Sequence, residues 1–545
     1  MVKVKDYLLI TGIFLLFLVI TIFFNPEFHV MGDLDDNPNE IIITRAVTPL
    51  RVSAPEIAVF APAETSGVDT IRRTLGFLRQ DFIELDRLQN LGGVWVLIVA
   101  APYYSEHDIT AMRWFLSHGG SIIFAKLPHV VSDDLAELIG IASFEPNYNV
   151  HAVDIYEGIF ISGKFRAEEL PMPSAFVRLS GHCKIYAHGY AYPGRPEEPI
   201  DLAYADRTPL IWRTFYQGGA VYAVNAPFFD DINGMGVLAG LLALALDDFI
   251  YPVIGTKTVA LDNFPYITTH DMLINHRTSY VFARDIMWPN LTAMSRESGL
   301  TYTAFTNGGF NNSYEAFSAL NFFSSSLHLL GRGELGYSFE HGVSPAGDDL
   351  SFLAHHFPGR SIRSVMSTDN AQITDFSQAT AVFAPGWDDA FTWLNDSAVV
   401  IPQISHGIDS DVTRFAFTSA VTTMGFAFHT VDLAPVFHGE YSWVSFSRDM
   451  SIYLSLLFGD LDFLQAVSAR NAAEAVKNYL NSSVNVSRHT SGMDVSITGG
   501  QTSFILRTRN TVGSTTADSL HRISDGVYFI ANQSENFSIE WERTS

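Results

Sequence analysis

Apolar and polar positions follow different periods along this chain, and the changes of period mark off its regions. From Tyr7 to Phe24 the residues are uncharged and almost wholly apolar. Such a run spans a bilayer core of roughly 30 Å as a helix rising about 1.5 Å per residue. Lys3 and Lys5 precede it, and Glu27, Asp33, Asp35 and Asp36 follow, an asymmetry that keeps the N-terminus in the cytoplasm and the bulk of the chain outside. A cleaved signal peptide is the alternative, but the run exceeds an ordinary apolar signal core and no Ala-x-Ala site follows. Residues 1–24 thus read as a cytoplasmic tip and transmembrane anchor, and the acidic, aperiodic residues 25–54 as a linker.

From 55 to 250 short apolar runs alternate with helical periods. Ile57 to Phe60 and Val94 to Ala100 read as buried strands, and Val68 to Leu78 as a helix. Ser105 with Asp108 has the form of a capping box. Ile109, Met112 and Leu116 then share a helical face, and Gly119-Gly120 stops the helix before the strand Ser121 to Ala125. This βαβ punctuation predicts a parallel sheet with right-handed crossovers, covered on both faces. An Ala- and Leu-rich helix, Gly234 to Leu246, closes the region, and Asp247-Asp248 opens a short link onward.

Between 255 and 480 the runs Val259 to Leu261, Tyr302 to Phe305, Ala381 to Phe383, Val399 to Ile401 and Gly425 to Phe428 are separated by helical stretches, the pattern of a (β/α) barrel, closed or partly open. Leu461 to Leu480 is helical by spacing. Beyond it, Met493 to Thr498, Ser503 to Arg509, Gly526 to Ala531 and Phe537 to Glu542 alternate with a period of two, which predicts a small antiparallel β-module over 485–545. Such modules bind glycans in some proteins and serve as structural lids in others. The Asn-x-Ser sequons at Asn481, Asn485, Asn532 and Asn536 matter as glycosylation sites only in a eukaryotic secretory pathway.

Composition narrows the classes. The 545 residues are 47% hydrophobic and 13% aromatic, enough for several folded domains. A formal net charge of −25 without clustered Lys and Arg excludes a nucleic-acid partner. The single cysteine, Cys183, forms no internal disulfide and has no metal-ligand spacing, so it reads as a buried, inert thiol. The 55–250 region resembles, in pattern, the flavodoxin-like fold of glutamine-amidotransferase relatives. Those enzymes carry a Cys nucleophile in a strand-to-helix elbow; here the position reads Ala101-Pro102, and a structural or binding role follows.

The strand Val259 to Leu261 delivers Asp262 to its C-terminal end, where barrel chemistry is placed. Leu261-Asp262-Asn263-Phe264-Pro265 resembles the Asp-Asp-x-Pro signature of polysaccharide deacetylases of the NodB-like group, including the deacetylase-like domains of Pel-type exopolysaccharide systems. The resemblance makes Asp262 the general base and Asn263 the replacement of a metal-binding Asp. Glu334-Leu335-Gly336-Tyr337-Ser338-Phe339-Glu340-His341-Gly342 resembles the family's Glu-x-Gly-x-His-x-x-x-His, with Ser338 and Gly342 where both metal histidines belong and His341 one place out of register.

A catalytic zinc in that family needs one carboxylate and two imidazoles around an open position. Asn263 and Ser338 are weak neutral donors and Gly342 is none, so no metal is expected, unless a relocated site drawn from His270, Asp271, His276 or His341 holds a divalent ion such as zinc. His406, His429 and His438 are candidates for the family's general acid, with His406 assigned tentatively. Tyr337, Phe339 and Trp387 would offer faces to sugar rings. The expected function is a membrane-anchored extracytoplasmic component that binds or guides a cell-envelope polysaccharide through an inactive deacetylase-like domain. The alternatives are an active N-deacetylase with a relocated site, and a scaffold for other proteins of a polysaccharide synthesis and export complex.

Overall fold

A computed structural model describes residues 56–62, 66–191, 206–264, 273–274, 276–307, 318, 321–322, 333–339, 362–367, 379–385, 391–532 and 534–542. All belong to one compact unit, Arg51–Ser545. Among them no helix is long and apolar enough to cross a membrane; Tyr7 to Phe24 lies outside the described residues.

The fold is mixed α/β. Its first sheet runs Phe82–Leu85, Ile57–Phe60, Val96–Val99, Ser121–Phe124, Gly219–Val224, Arg207–Tyr216, Lys184–Tyr190, Ala152–Phe160 and Gly163–Ala167. The first five of these strands are parallel. Ser105 and Asp108 close the expected capping box: the Asp108 N–H donates to Ser105 Oγ at 3.2 Å and the Ser105 N–H to Asp108 Oδ2 at 2.9 Å.

The expectation of a wholly parallel sheet fails in the second half, where the pairings are antiparallel. The cause is local. Tight turns join two of these pairs, Gln217-Gly218, both at positive φ, between Arg207–Tyr216 and Gly219–Val224, and Ile161-Ser162 between Ala152–Phe160 and Gly163–Ala167, whereas a parallel pair would need a crossover of a dozen or more residues.

The helix Met235–Ala245 is buried nearly throughout. Cβ atoms added at Gly236 and Gly240 would lie 2.6 Å from Ser419 Cα and 2.4 Å from the Ile159 carbonyl oxygen. Glycine there lets this helix touch both the helix Asp411–Met424 and the strand Ala152–Phe160 by backbone.

The link after this helix is instead a strand, Asp248–Val253, which pairs antiparallel with Ser503–Thr508 some 250 residues on. It completes one sheet of a C-terminal β-sandwich with Val527–Ala531 and Ser519–Ser524. The other sheet holds Ser483–His489, Gly492–Thr498, Asn536–Trp541 and Val512–Thr515. Ile250, Val495, Ile497, Phe504, Leu506, Phe537 and Ile539 fill the space between. Arg507, fully buried, donates from Nη1 to the Ile159 carbonyl at 2.9 Å and from Nη2 to that of Gly158, so the sandwich is also hydrogen-bonded to the first sheet.

The middle region is a half-barrel of parallel strands in the order Val399–Gln403, Ala381–Pro385, Ser364–Ser367, Glu334–Phe339, Tyr302–Asn307, Thr256–Asp262 and Phe426–Asp432. A single parallel bridge, His406 to Thr430, joins its two ends. In-register pairs put Ala260, Phe305, Gly336, Met366, Phe383, Ile401 and Phe428 on the inner face. There Phe383 stacks on Phe428 with centroids 4.5 Å apart and meets Phe305 edge-on at 5.7 Å. A Cβ on Gly336 would come within 2.6 Å of the Phe305 ring, so this glycine makes room for the phenylalanines.

The N-terminal end of the barrel is sealed by the helix Ala469–Asn481. Its N-cap, Ser468, makes no side-chain cap bond. The first helical N–H groups are met by the barrel instead: Ala469 donates to Thr303 Oγ1 at 2.8 Å and Arg470 to Glu334 Oε2 at 2.9 Å.

Candidate functional site

With one end of the barrel plugged, the carboxyl-terminal ends of its strands are where polar groups gather. Asp262 and Asp432 are in-register partners on adjacent strands. Between them stands Asn263, held at φ +56° where the chain leaves the sheet, a conformation that Asn tolerates better than most residues. Its N–H donates to Asp262 Oδ1 at 2.9 Å and its Nδ2 to Asp432 Oδ1 at 2.8 Å. The Ala434 N–H also donates to Asp432 Oδ1, at 2.9 Å. Phe264 anchors the turn, buried and stacked parallel on Trp288 with centroids 6.1 Å apart. Asp262 is half-buried and Asp432 exposed, so the pair presents two acceptors at the rim.

The remaining expected residues are dispersed. Ser338 is buried at the end of its strand and faces inward in register with Asn307. Tyr337 points to the opposite face and is only 3% exposed, so it offers no ring to a sugar; alternation along the strand forces this once Ser338 faces in. Phe339 ends the same strand, and its side chain lies outside the described residues. Trp387, His341, Gly342, His270 and Asp271 lie outside them too.

Glu334 is at the plugged end, capping the sealing helix and accepting from Ser364 Oγ at 2.9 Å. Burial raises its pKa against the lowering effect of these bonds. The motif that resembles a metal-binding loop is thus, through Phe339, the strand itself.

Of the histidines, His406 is exposed and its backbone forms the bridge that joins the barrel ends. His276 and His438 are exposed as well. His429 is fully buried on the outer face, its Nδ1 2.6 Å from Ser405 Oγ and its ring 5.5 Å from that of Tyr453. Burial pulls its pKa down to about 3, so it stays neutral and shielded from the mouth, unsuited to a general-acid role.

A deacetylase-like metal needs three converging ligands. Among the described residues no three His, Cys, Asp or Glu side chains gather to hold an ion. Asn263 turns its amide nitrogen, a donor that cannot ligate, toward Asp432. The described residues therefore do not fit a three-ligand centre.

In the first sheet the elbow after Val96–Val99 holds buried Ala100 and Ala101, with no nucleophile. Cys183 packs against Gly140 and Thr214, its Sγ 3.8 Å from the Gly140 carbonyl oxygen, and burial pushes its thiol pKa up. The sequence puts Asp432 at the end of the run that begins at Gly425, a strand-end position able to line a cleft; its partnership with Asp262 and Asn263 comes only from the strand register.

Residues 77–335 match the family described as "Uncharacterised protein conserved in bacteria (DUF2194)". No curated protein matches the sequence. Among solved structures, the chain is similar to that of Agd3, a novel carbohydrate deacetylase, with a TM-score of 0.52 and 9% identity over 89% of this chain and 98% of that one. An exo-β-1,4-mannosidase from Opitutaceae bacterium strain TAV5 is 14% identical over 35% of this chain and 36% of its own, with a TM-score of 0.25. An α-L-fucosidase from Paenibacillus thiaminolyticus is 14% identical over 36% of this chain and 34% of its own, with a TM-score of 0.27. The likeness to Agd3 establishes a carbohydrate-deacetylase-like fold along most of the chain.

Proposed function

We propose that this chain is a membrane-anchored, extracytoplasmic protein that holds or guides a cell-envelope polysaccharide at the open mouth of its deacetylase-like barrel without metal-dependent deacetylation. The observation that carries this reading is Asn263, at the position where the resemblance calls for a metal-binding Asp, with its amide donating to Asp432. Asp262 has no metal-held water to activate in that arrangement, because a general base of this kind works on a water whose pKa the cation has lowered. The anchor at Tyr7 to Phe24 and the acidic net charge of −25 support placement outside the cytoplasm and away from nucleic acid. Proteins of polysaccharide synthesis and export are the partners this location suggests.

The test is calorimetry with zinc and with acetylated amino-sugar oligomers. The expected result is oligomer binding indifferent to chelator and no stoichiometric zinc. Asn263→Asp combined with Ser338→His and Gly342→His should raise zinc affinity, whereas Asn263→Asp alone should not. Stoichiometric zinc in the unmutated protein would sink this reading and favour the second one, hydrolysis at a relocated site, for which the adjacent Asp262 and Asp432 carboxylates are the specific motive.

A further inference from the structure

The outer face of one sandwich sheet is a grid of short polar side chains. Asn485 pairs in register with Ser496, and Ser496 with Asn536; one step along, Ser487 pairs with Asp494, and Asp494 with Ser538. These six residues make two rows of three across neighbouring strands and line a groove of about 350 Å³. Strands lie about 4.8 Å apart and same-face residues about 6.8 Å apart along each, spacings comparable to the dimensions of a sugar ring. The apolar members of the same strands, Val495 and Phe537 among them, turn inward to the sandwich core.

The chemistry of this grid is selective. Among the described residues, Asn485, Ser487, Ser496 and Asn536 make no side-chain hydrogen bond within the protein, leaving amides and hydroxyls that both donate and accept. A phosphate or nucleic-acid site would show Lys or Arg, and the groove lining has none; a protein interface of ordinary affinity would show an exposed apolar or aromatic centre, whereas the two apolar residues of this lining, Val495 and Phe537, are buried. Its one formal charge is Asp494, whose ionic neighbour among the described residues is His489 at 3.8 Å. A polyol meets the uncharged positions, and an amine complements the carboxylate.

We propose that this groove is a second glycan-binding site, selective for amine-bearing sugar chains, with Asn485, Ser487, Ser496, Asn536 and Ser538 contacting hydroxyls and Asp494 contacting the amine. It rests on the reading that the chain handles a glycan, but it is separate from the barrel mouth.

The experiment titrates the full chain with a glucosamine hexamer, an N-acetylglucosamine hexamer and an oligogalacturonate. Binding should be tightest for glucosamine and undetectable for the uronate. Asn485→Ala with Asn536→Ala should weaken glucosamine binding at least ten-fold at an unchanged melting temperature, since both side chains are exposed. Asp494→Asn should bring the glucosamine affinity down to that of the acetylated hexamer. Wild-type affinity in the double variant, or no glucosamine binding by the unmutated chain, overturns the site; an unchanged preference in Asp494→Asn overturns its amine selectivity. If the double variant binds as wild type does while Asp432→Ala loses binding, the barrel-mouth reading stands and only this one falls.

Discussion

Glu334 shows how one residue can be legible in a motif and still be misplaced. The spacing Glu-x-Gly is present because Glu334 caps a helix and Gly336 clears space for Phe305, two packing duties at the closed end and middle of the barrel. Removing the cap in Glu334→Ala should cost about 1–3 kcal/mol in urea unfolding and leave glycan binding intact. Glu334→Gln keeps an acceptor for the Arg470 N–H and should cost less.

The pH dependence separates these variants further. Burial raises the folded pKa of Glu334 above its ordinary value of 4.5, so its folded form retains a proton that the unfolded chain has lost. Its contribution therefore fades as pH rises from about 4.5 through that raised value, and the Gln variant should gain on wild type across this window. His429 acts in the opposite sense. Its pKa falls from 6.5 to about 3, so the stability it contributes is complete above 6.5 and is lost as pH falls toward 3. Unfolding free energies measured from pH 7 to 4 should decline, and His429→Asn should flatten the decline. His188, pulled down to about 4 by burial, adds to the same acid limb.

Among the elements, five of the barrel strands were readable because buried parallel strands are continuous apolar runs, and the Ala- and Leu-rich helix Met235–Ala245 because nothing polar interrupts it; the strands Glu334–Phe339 and Ser364–Ser367 were not, because Glu334, Ser338, Ser364 and Ser367 break their apolar runs. The antiparallel half of the first sheet was not readable in the same way. Its strands mix buried and exposed positions, as in Gly163–Ala167, and they carry no long apolar run. The polar grid of the sandwich illustrates the point from the other side: the Asn-x-Ser pattern of Asn485 to Ser487 and of Asn536 to Ser538 is the outward face of two strands.

The contact of the buried helix with its neighbours yields a sharp expectation. Gly240→Val places a branched side chain against the Ile159 backbone, only 2.4 Å from its carbonyl oxygen for the first added carbon. Overpacking of this kind costs about 1–3 kcal/mol or more. A matching drop in the urea midpoint checks it; an unchanged midpoint would mean that the helix and the strand Ala152–Phe160 are not in backbone contact.

At the scale of the whole molecule, pairings between distant parts of the chain decide what is open. Asp248–Val253 joins the sandwich through Ser503–Thr508, a partnership that no local pattern announces. The helix Ala469–Asn481 closes one end of the barrel, which leaves the rim with Asp262, Asn263 and Asp432 as its exposed polar end. The candidate site was half legible: Asp262 followed from strand position and motif and Asp432 from strand position, whereas their pairing required the register between two strands far apart in sequence.

On the proposed reading, this rim handles a glycan without deacetylating it. The most direct measurement is acetate release from an N-acetylglucosamine oligomer by the full chain with zinc supplied, beside its Asp262→Ala variant. The predicted result is no release above background from either protein. Turnover by the unmutated chain that disappears in Asp262→Ala would contradict it.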